Sequence, residues 1–258
     1  MGMDFQSDKN RMTYTTRNAD NVWKEAISKL VPLKNVSKAL EIGCGGGIYL
    51  KALSDMGFPS VTGIDFSKAI LAGAQENCRD YKTISLKFGN ALDTGLEDNS
   101  FDLLLERALI HHIEDLKACF KEAHRLLEDK GHFIIQDRTP EDCLLAGNSE
   151  HIRGYFFELF PRLIEKETNR RHNSEKVIAT LKEVGFKEIE EVKLWEVRKV
   201  YENKEQLLTD LSERTGRSIL HELDDHELQL LINHIDHSIV ANQNIIEKDR
   251  WTIWKAIK

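Results

Sequence analysis

From about residue 38 the sequence alternates short apolar runs with amphipathic stretches, and that alternation fixes the fold class. KALEIG (38–43), SVTGID (60–65), SLKFGN (85–90), FDLLLE (101–106) and HFIIQD (132–137) read as strands. Each is short, rich in branched and aromatic residues and apolar nearly throughout, as strands buried on both faces must be. Between them lie helical patterns such as Asp115–Leu127, where Leu116, Phe120, Ala123, Leu126 and Leu127 share one face. Strands alternating with helices imply right-handed crossovers and a parallel sheet. FKEIEEVKLW and WTIWKAIK supply a sixth and a seventh strand, expected as antiparallel partners. The expected class is α/β: a doubly wound, mostly parallel seven-stranded sheet with helical insertions.

The remaining segments frame that sheet. Asp20–Val31 reads as an entry helix capped by Asp20 or Asn21 and ended by Pro32. Residues 139–172 read as a loop and then a helix carrying Tyr155, Phe156, Phe157, Leu159 and Phe160. Ser174 is placed to cap a helix running to Val184, with Gly185 stopping it. In 202–247, Asp224 and Glu227 have capping-box spacing, and Leu228, Leu231, Ile235 and Ile239 form a stripe. The expected organisation is an N-terminal segment and entry helix over 1–35, and a core over 36–201 and 248–258. Residues 139–172 are the core's variable pocket segment, and 202–247 form a helical insertion or lid.

Charge narrows the partners. The chain carries a net −7, and residues 202–247 hold ten acids against three bases, so the rest is balanced. That lacks the basic footprint of a nucleic-acid binder, and its field favours a neutral or cationic small molecule over a polyanion. No apolar run approaches the ~18–20 residues of a membrane span, and MGMDFQSDKNR has no signal-peptide core, so a cytoplasmic protein is expected. Cys44, Cys78, Cys119 and Cys143 stand singly, which argues against a zinc site and a disulfide framework. His221, His226, His234 and His237 are read as solvent-facing helix positions. No metal is expected.

The strongest site signal is Glu41-Ile42-Gly43-Cys44-Gly45-Gly46-Gly47, where the first strand enters a helix, with Asp65 ending the second strand. Glycines let the backbone turn sharply and a ligand approach closely; the acid can accept hydrogen bonds from ribose hydroxyls. A dinucleotide site wants a third small residue where Ile48 stands, which weakens an NAD-dependent oxidoreductase as the alternative. The pattern E-x-G-x-G-x-G resembles the first motif of class I S-adenosylmethionine-dependent methyltransferases, and the resemblance covers about residues 36–137. It implies a Rossmann-like fold, S-adenosyl-L-methionine as cofactor, and methyl transfer to an unidentified small-molecule acceptor. A non-catalytic cofactor-binding protein of the same fold is a further alternative. By resemblance, Glu41, Gly43, Gly45, Gly47, Asp65, Phe66, Asn90, Ala91 and Glu106 bind the cofactor. Phe66 lies beside adenine and Asn90-Ala91 replace the family's Asp-Ala, while Arg17, near Tyr14, meets the cofactor carboxylate.

Methyl transfer is a displacement at a sulfonium carbon, so alignment and exclusion of water do most of the work. A general base helps only when the acceptor arrives protonated. Ligands of open parallel sheets bind at the carboxyl ends of the strands. Here those ends hold Glu106, Arg107, His111 and His112, then Gln136, Asp137 and Arg138. His111, His112 and Asp137 are the catalytic candidates. For His112 a structural histidine bonded to nearby backbone is the other reading, and for Asp137 with Arg138 a plain ion pair.

Overall fold

The computed structural model describes residues 12, 15, 18–240 and 244–258. The chain divides into two compact units. One, the sheet unit, runs through Asp137 and takes in Asn173–Leu194 and Thr252–Lys258; the other, the helical unit, comprises Arg138–His172 and Trp195–Trp251.

The strands are β1 (Lys38–Ile42), β2 (Ser60–Asp65), β3 (Ile84–Phe88), β4 (Phe101–Arg107), β5 (Leu127–Asp137), β6 (Lys187–Tyr201) and β7 (Ile245–Ile257). Their order in the sheet is β3-β2-β1-β4-β5-β7-β6. The first five are parallel, and β7 pairs antiparallel with β5, His132 opposite Ile257. The mostly parallel α/β sheet expected from the sequence is therefore present, with β5 and β7 longer than their apolar stretches indicate. Strand order reverses between β1 and β4, and a crevice at such a reversal is where open α/β sheets take ligands.

Strand alternation builds a core on each face. Leu103 and Leu105 of β4 join Trp23 and Ile27 of α1 (Asn21–Leu30) and Leu50 and Leu53 of α2 (Ile48–Asp55). Leu104 points the other way, into a core with α4 (Leu116–Leu126) and α8 (Ser174–Val184), which contribute Phe120, Ala123, Leu126, Val177 and Leu181. Helices of about ten residues are marginal alone, so this burial is what holds them. The caps are local: Asp20 accepts from Val22 N, and Ser67 from Ile70 N at the start of α3 (Lys68–Asn77). At α8 the cap is Asn173, not Ser174; its side chain accepts from Lys176 N and leaves Ser174 as the first helical residue.

The helical unit holds α5 (Pro140–Cys143), α6 (Gly154–Leu159), α7 (Arg162–Thr168), α9 (Lys204–Ser212) and α10 (Asp225–Ser238). Within 139–172 the expected loop holds the short α5, and the expected helix stands as two pieces, α6 and α7. Pro161, with no N–H to donate, separates α6 from α7. At Gly154 a Cβ would lie 2.1 Å from Gly147 N, so the preceding loop crosses directly over the start of α6. The capping box of Asp224 and Glu227 opens α10 as expected. Ile152, Phe156, Leu163, Leu207, Leu211, Leu228, Leu231, Ile235 and Ile239 form one core, so 139–172 and 202–247 pack together despite their separation in sequence. His234 is half-buried against Tyr155, ring centroids 5.6 Å apart, while His221, His226 and His237 are exposed. Among the described residues no helix is long and apolar enough to cross a membrane.

Candidate functional site

The glycine loop sits between β1 and α2 with Gly43, Gly45 and Gly47 at φ +73°, +53° and +78°. L side chains rarely adopt that left-handed region, and space closes the same positions. A Cβ on Gly43 would meet Leu109 at 2.9 Å, and one on Gly47 would meet Cys78 Sγ at 2.5 Å. Gly43 N and Cys44 N both donate to Ile64 O at 2.9 Å, so β2 holds the loop. The close helix-to-strand approach that a third loop glycine would permit is made from the strand side: a Cβ on Gly63 would lie 2.5 Å from Leu50 Cδ1.

Asp65 ends β2 beside this loop. Its Oδ2 accepts from Gly45 N at 3.0 Å and its Oδ1 from Ser67 N at 2.9 Å. Each oxygen keeps accepting capacity. Burial raises its pKa, against the pull of the backbone N–H groups of Ser67, Gly45 and Phe66. Phe66 is half exposed. Asn90 is exposed, and its Oδ1 accepts from Leu92 N at 2.9 Å, which leaves one lone pair on the carbonyl. The Ala91 side chain is buried in the core.

At the ends of the central strands a second group assembles. Glu41 is buried, and its Oε2 has no hydrogen-bond partner among the described residues. Burial pushes its pKa well up, against the attraction of Arg107. Arg107 lies 4.1 Å over the Tyr49 ring, Tyr49 meets Trp23 edge-on at 4.8 Å, and Trp23 Nε1 donates to Gln136 Oε1 at 2.7 Å. Sequence reading passes over Trp23 and Tyr49: with Ile27 four residues on, Trp23 reads only as the buried face of α1.

Glu106, expected as a cofactor contact, has its oxygen Oε1 engaged elsewhere. It is fully buried on the face of β4 turned to α4, where Cys119 Sγ donates to its Oε1 at 3.4 Å, and burial lifts its pKa to about 8. Alternation along the strand puts Arg107, not Glu106, on the face shared with Tyr49. Tyr14 and Arg17 lie outside the described residues.

His111 and Asp137 come together. His111 Nδ1 stands 2.8 Å from Asp137 Oδ2 and 3.1 Å from Oδ1, and the His111 backbone N–H donates to Oδ2 at 3.3 Å. Asp137 closes β5 and is buried; His111 lies in the 3-10 turn Ile110–His112 after β4. A carboxylate at Nδ1 fixes that nitrogen as the donor and leaves Nε2 as the proton acceptor. His112 is exposed, its ring 4.0 Å from that of His111. Arg138, one residue past Asp137, turns to Asp249 at 3.4 Å and lies 4.6 Å over the Trp251 ring.

Residues 40–135 match the family model described as a methyltransferase domain. Over that stretch, less than half of its length, the chain is similar to a methyltransferase domain. Over 120 residues it is 33% identical to the demethylmenaquinone methyltransferase of Staphylococcus aureus, 46% of this chain and 50% of that one. The chain thus spans about half the length of the curated relatives it matches. In fold it is similar to an Anabaena variabilis protein described as a methyltransferase from an antibiotic biosynthesis pathway. There the TM-score is 0.70 at 20% identity, over 93% of this chain and 98% of the other. It is also similar to phosphoethanolamine N-methyltransferase 2 of Haemonchus contortus, solved with S-adenosyl-L-methionine. That TM-score is 0.60 at 22% identity, over 99% of this chain and 60% of that one. The matched stretch contains the glycine loop, Asp65, Asn90-Ala91 and His111, and stops two residues before Asp137.

Proposed function

We propose that the protein transfers a methyl group from S-adenosyl-L-methionine to a small-molecule acceptor, with His111 as general base and Asp137 as the residue that orients it. The observation that carries this reading is the loop of three left-handed glycines tied to Asp65 through Gly45. The residues fit the cofactor. Glu41 Oε2, buried and without a partner among the described residues, suits an ammonium group at the start of the loop. Asp65 retains lone pairs for ribose hydroxyls, half-exposed Phe66 would lie beside adenine, and Asn90 and Ala91 would follow at its edge. Bound there, the cofactor supplies an electrophilic methyl group on a sulfonium.

The chain's own part is positioning and proton removal. His111 Nε2 accepts the acceptor's proton as its lone pair attacks, and Asp137 stabilises the imidazolium through Nδ1. His112, exposed beside it, is the secondary candidate. The segments 139–172 and 202–247 would supply the acceptor's pocket and its lid, in a protein working in the cytoplasm without nucleic acid. The test is calorimetry with S-adenosylhomocysteine and NAD, followed by labelled cofactor against a metabolite library. Binding of S-adenosylhomocysteine and label transfer to a small molecule are expected; tight NAD binding with no response to S-adenosylhomocysteine overturns the reading.

A further inference from the structure

The loop after β3, which carries Asn90 and Ala91, has few interior contacts of its own. Asn90, Leu92, Asp93 and Gly95 are exposed, while Ala91 and Thr94 are buried. Inside the loop, Asp93 N donates to Asn90 O at 3.1 Å, and Leu92 N donates to Asn90 Oδ1 at 2.9 Å. A backbone N–H only donates, so that second bond fixes which end of the Asn90 amide is the oxygen. The loop then folds back on its start. A Cβ on Gly89 would lie 3.2 Å from Thr94 O, and Gly89 N donates to Asp65 O at 3.2 Å.

A buried carboxylate on α4 holds the far end. Glu122 Oε1 accepts from Thr94 N at 2.8 Å and from Thr94 Oγ1 at 2.5 Å, and Thr94 Oγ1 accepts in turn from Leu96 N at 3.2 Å. Arg125, one turn further along α4, donates from Nε to Glu122 Oε2 at 2.8 Å and from Nη2 to Glu122 Oε1 at 2.7 Å. Its Nη1 donates to Leu96 O at 2.8 Å and also pairs with Asp98. These bonds of the Glu122 carboxylate all go to the loop or to the arginine that also holds it. Burial disfavours an ionised Glu122, but Arg125 and the two Thr94 donors outweigh it and hold the pKa below its ordinary value.

An exposed loop with few buried contacts opens locally at little cost unless tertiary bonds hold it. Here a network of charge-assisted bonds supplies them. We propose that Glu122, acting through Thr94 and braced by Arg125, is a positioning residue for the adenine of the cofactor. It fixes Asn90 so that Oδ1 takes the 6-amino group, and so sets base selectivity without touching the ligand. This rests on the reading of the glycine loop and Asp65 as an S-adenosyl-L-methionine site. Asn90 carries no charge, so its remaining lone pair attracts an amino group less strongly than a carboxylate would, and placement decides more of the contact.

The test uses the full chain and needs no methyl transfer. Its probes are S-adenosylhomocysteine and S-inosylhomocysteine, whose base carries a 6-oxo group in place of the 6-amino group. Calorimetry should show the parent preferring S-adenosylhomocysteine. In Glu122→Gln and in Thr94→Val that affinity should fall about three- to tenfold, the worth of one neutral hydrogen bond. S-inosylhomocysteine binding should stay nearly unchanged in both. Thr94→Ser keeps the hydroxyl and should keep the parent's ratio of affinities. Without any ligand, hydrogen exchange at Leu92, Asp93 and Thr94 should be faster in Glu122→Gln than in the parent. Thr94→Val matches the parent in shape and decides the matter if Glu122→Gln fails to fold. A parent that binds the two probes equally, or exchange rates unchanged in Glu122→Gln, overturns the proposal. So does a ratio unchanged in Thr94→Val, whether both affinities fall or neither does, which would make Glu122 a support of the fold alone. A parent that binds neither probe overturns the cofactor reading itself, and this inference with it.

Discussion

The sheet unit buries acids with oxygens left over, and the helical unit buries guanidiniums that share their carboxylates. Glu41 and Glu106 each keep one carboxylate oxygen without a partner among the described residues, and each responds by a raised pKa. A carboxyl can take up a proton and remain buried at modest cost. The arginines of the helical unit have no such exit. Unpaired acids therefore need no ligand to explain them, although one can exploit them, as at Glu41. Buried guanidiniums stay charged and must share the carboxylates at hand, as three do at Glu167. Asp137 stands apart from both, because its charge is used at once on His111.

The largest expected effect lies at that dyad. His111→Gln should keep S-adenosylhomocysteine affinity and lower turnover by about 10²–10⁴-fold, the range of general-base catalysis. Asp137→Asn should fall in the same direction, since it removes the group that orients Nδ1. His112→Gln should lose less. Equal losses at both histidines in a rate assay would break the assignment of the base to His111.

Next in size is Glu167→Gln, which strips three guanidiniums of their shared carboxylate. Removing one side of a buried ion pair costs about 3–5 kcal/mol, readable as a lower urea midpoint at pH 7. The sign in pH follows from the depressed pKa. The contribution of Glu167 is present above the unfolded value near 4.5 and is lost as pH falls through its far lower folded value. A variant as stable as the parent would remove the contrast between the units.

Asp65→Ala is smaller. It removes a charged acceptor of ribose hydroxyls, about 1.5–3 kcal/mol for such a bond, or roughly ten- to a hundred-fold in S-adenosylhomocysteine affinity. Unchanged calorimetry would mean that the Asp65 carboxylate serves only Gly45 and Ser67.

The two units differ in how far their sequences disclose them. In the sheet unit, periodicity marks strands buried on both faces, and the spacing from glycine loop to Asp65 marks a site, because short-range rules govern both. The face that Glu106 takes is not legible, because at a strand end one residue decides it. The partnership of His111 with Asp137 joins residues from two strand ends and is settled only by register. The helical unit's arginine cluster around Glu167 is not legible in the sequence. Arg153, Arg170 and Arg171 look like ordinary surface charges until two distant segments close over them, and net charge counted along 202–247 points the other way.

The last effect, smallest when read as about 1.4 kcal/mol per pH unit, tests whether buried acids in the sheet unit are tolerated by protonation. Glu106 has a folded pKa of about 8 against an ordinary value of 4.5, raised by burial, while Cys119 donates to it and pulls the other way. Between those values the folded state holds a proton that the unfolded state has lost. Stability should therefore be full below about 4.5, fall by about 1.4 kcal/mol per pH unit through the window, and level off above about 8. Glu106→Gln carries a neutral amide of similar shape, so this component of the slope should vanish and the variant should overtake the parent in mild alkali. Urea unfolding at pH 6, 7 and 8 measures both slopes. A parent whose stability rises with pH across that window, with the variant parallel to it, would mean that Glu106 is ionised in the folded protein. The sheet unit would then also hold a buried charge in need of a partner.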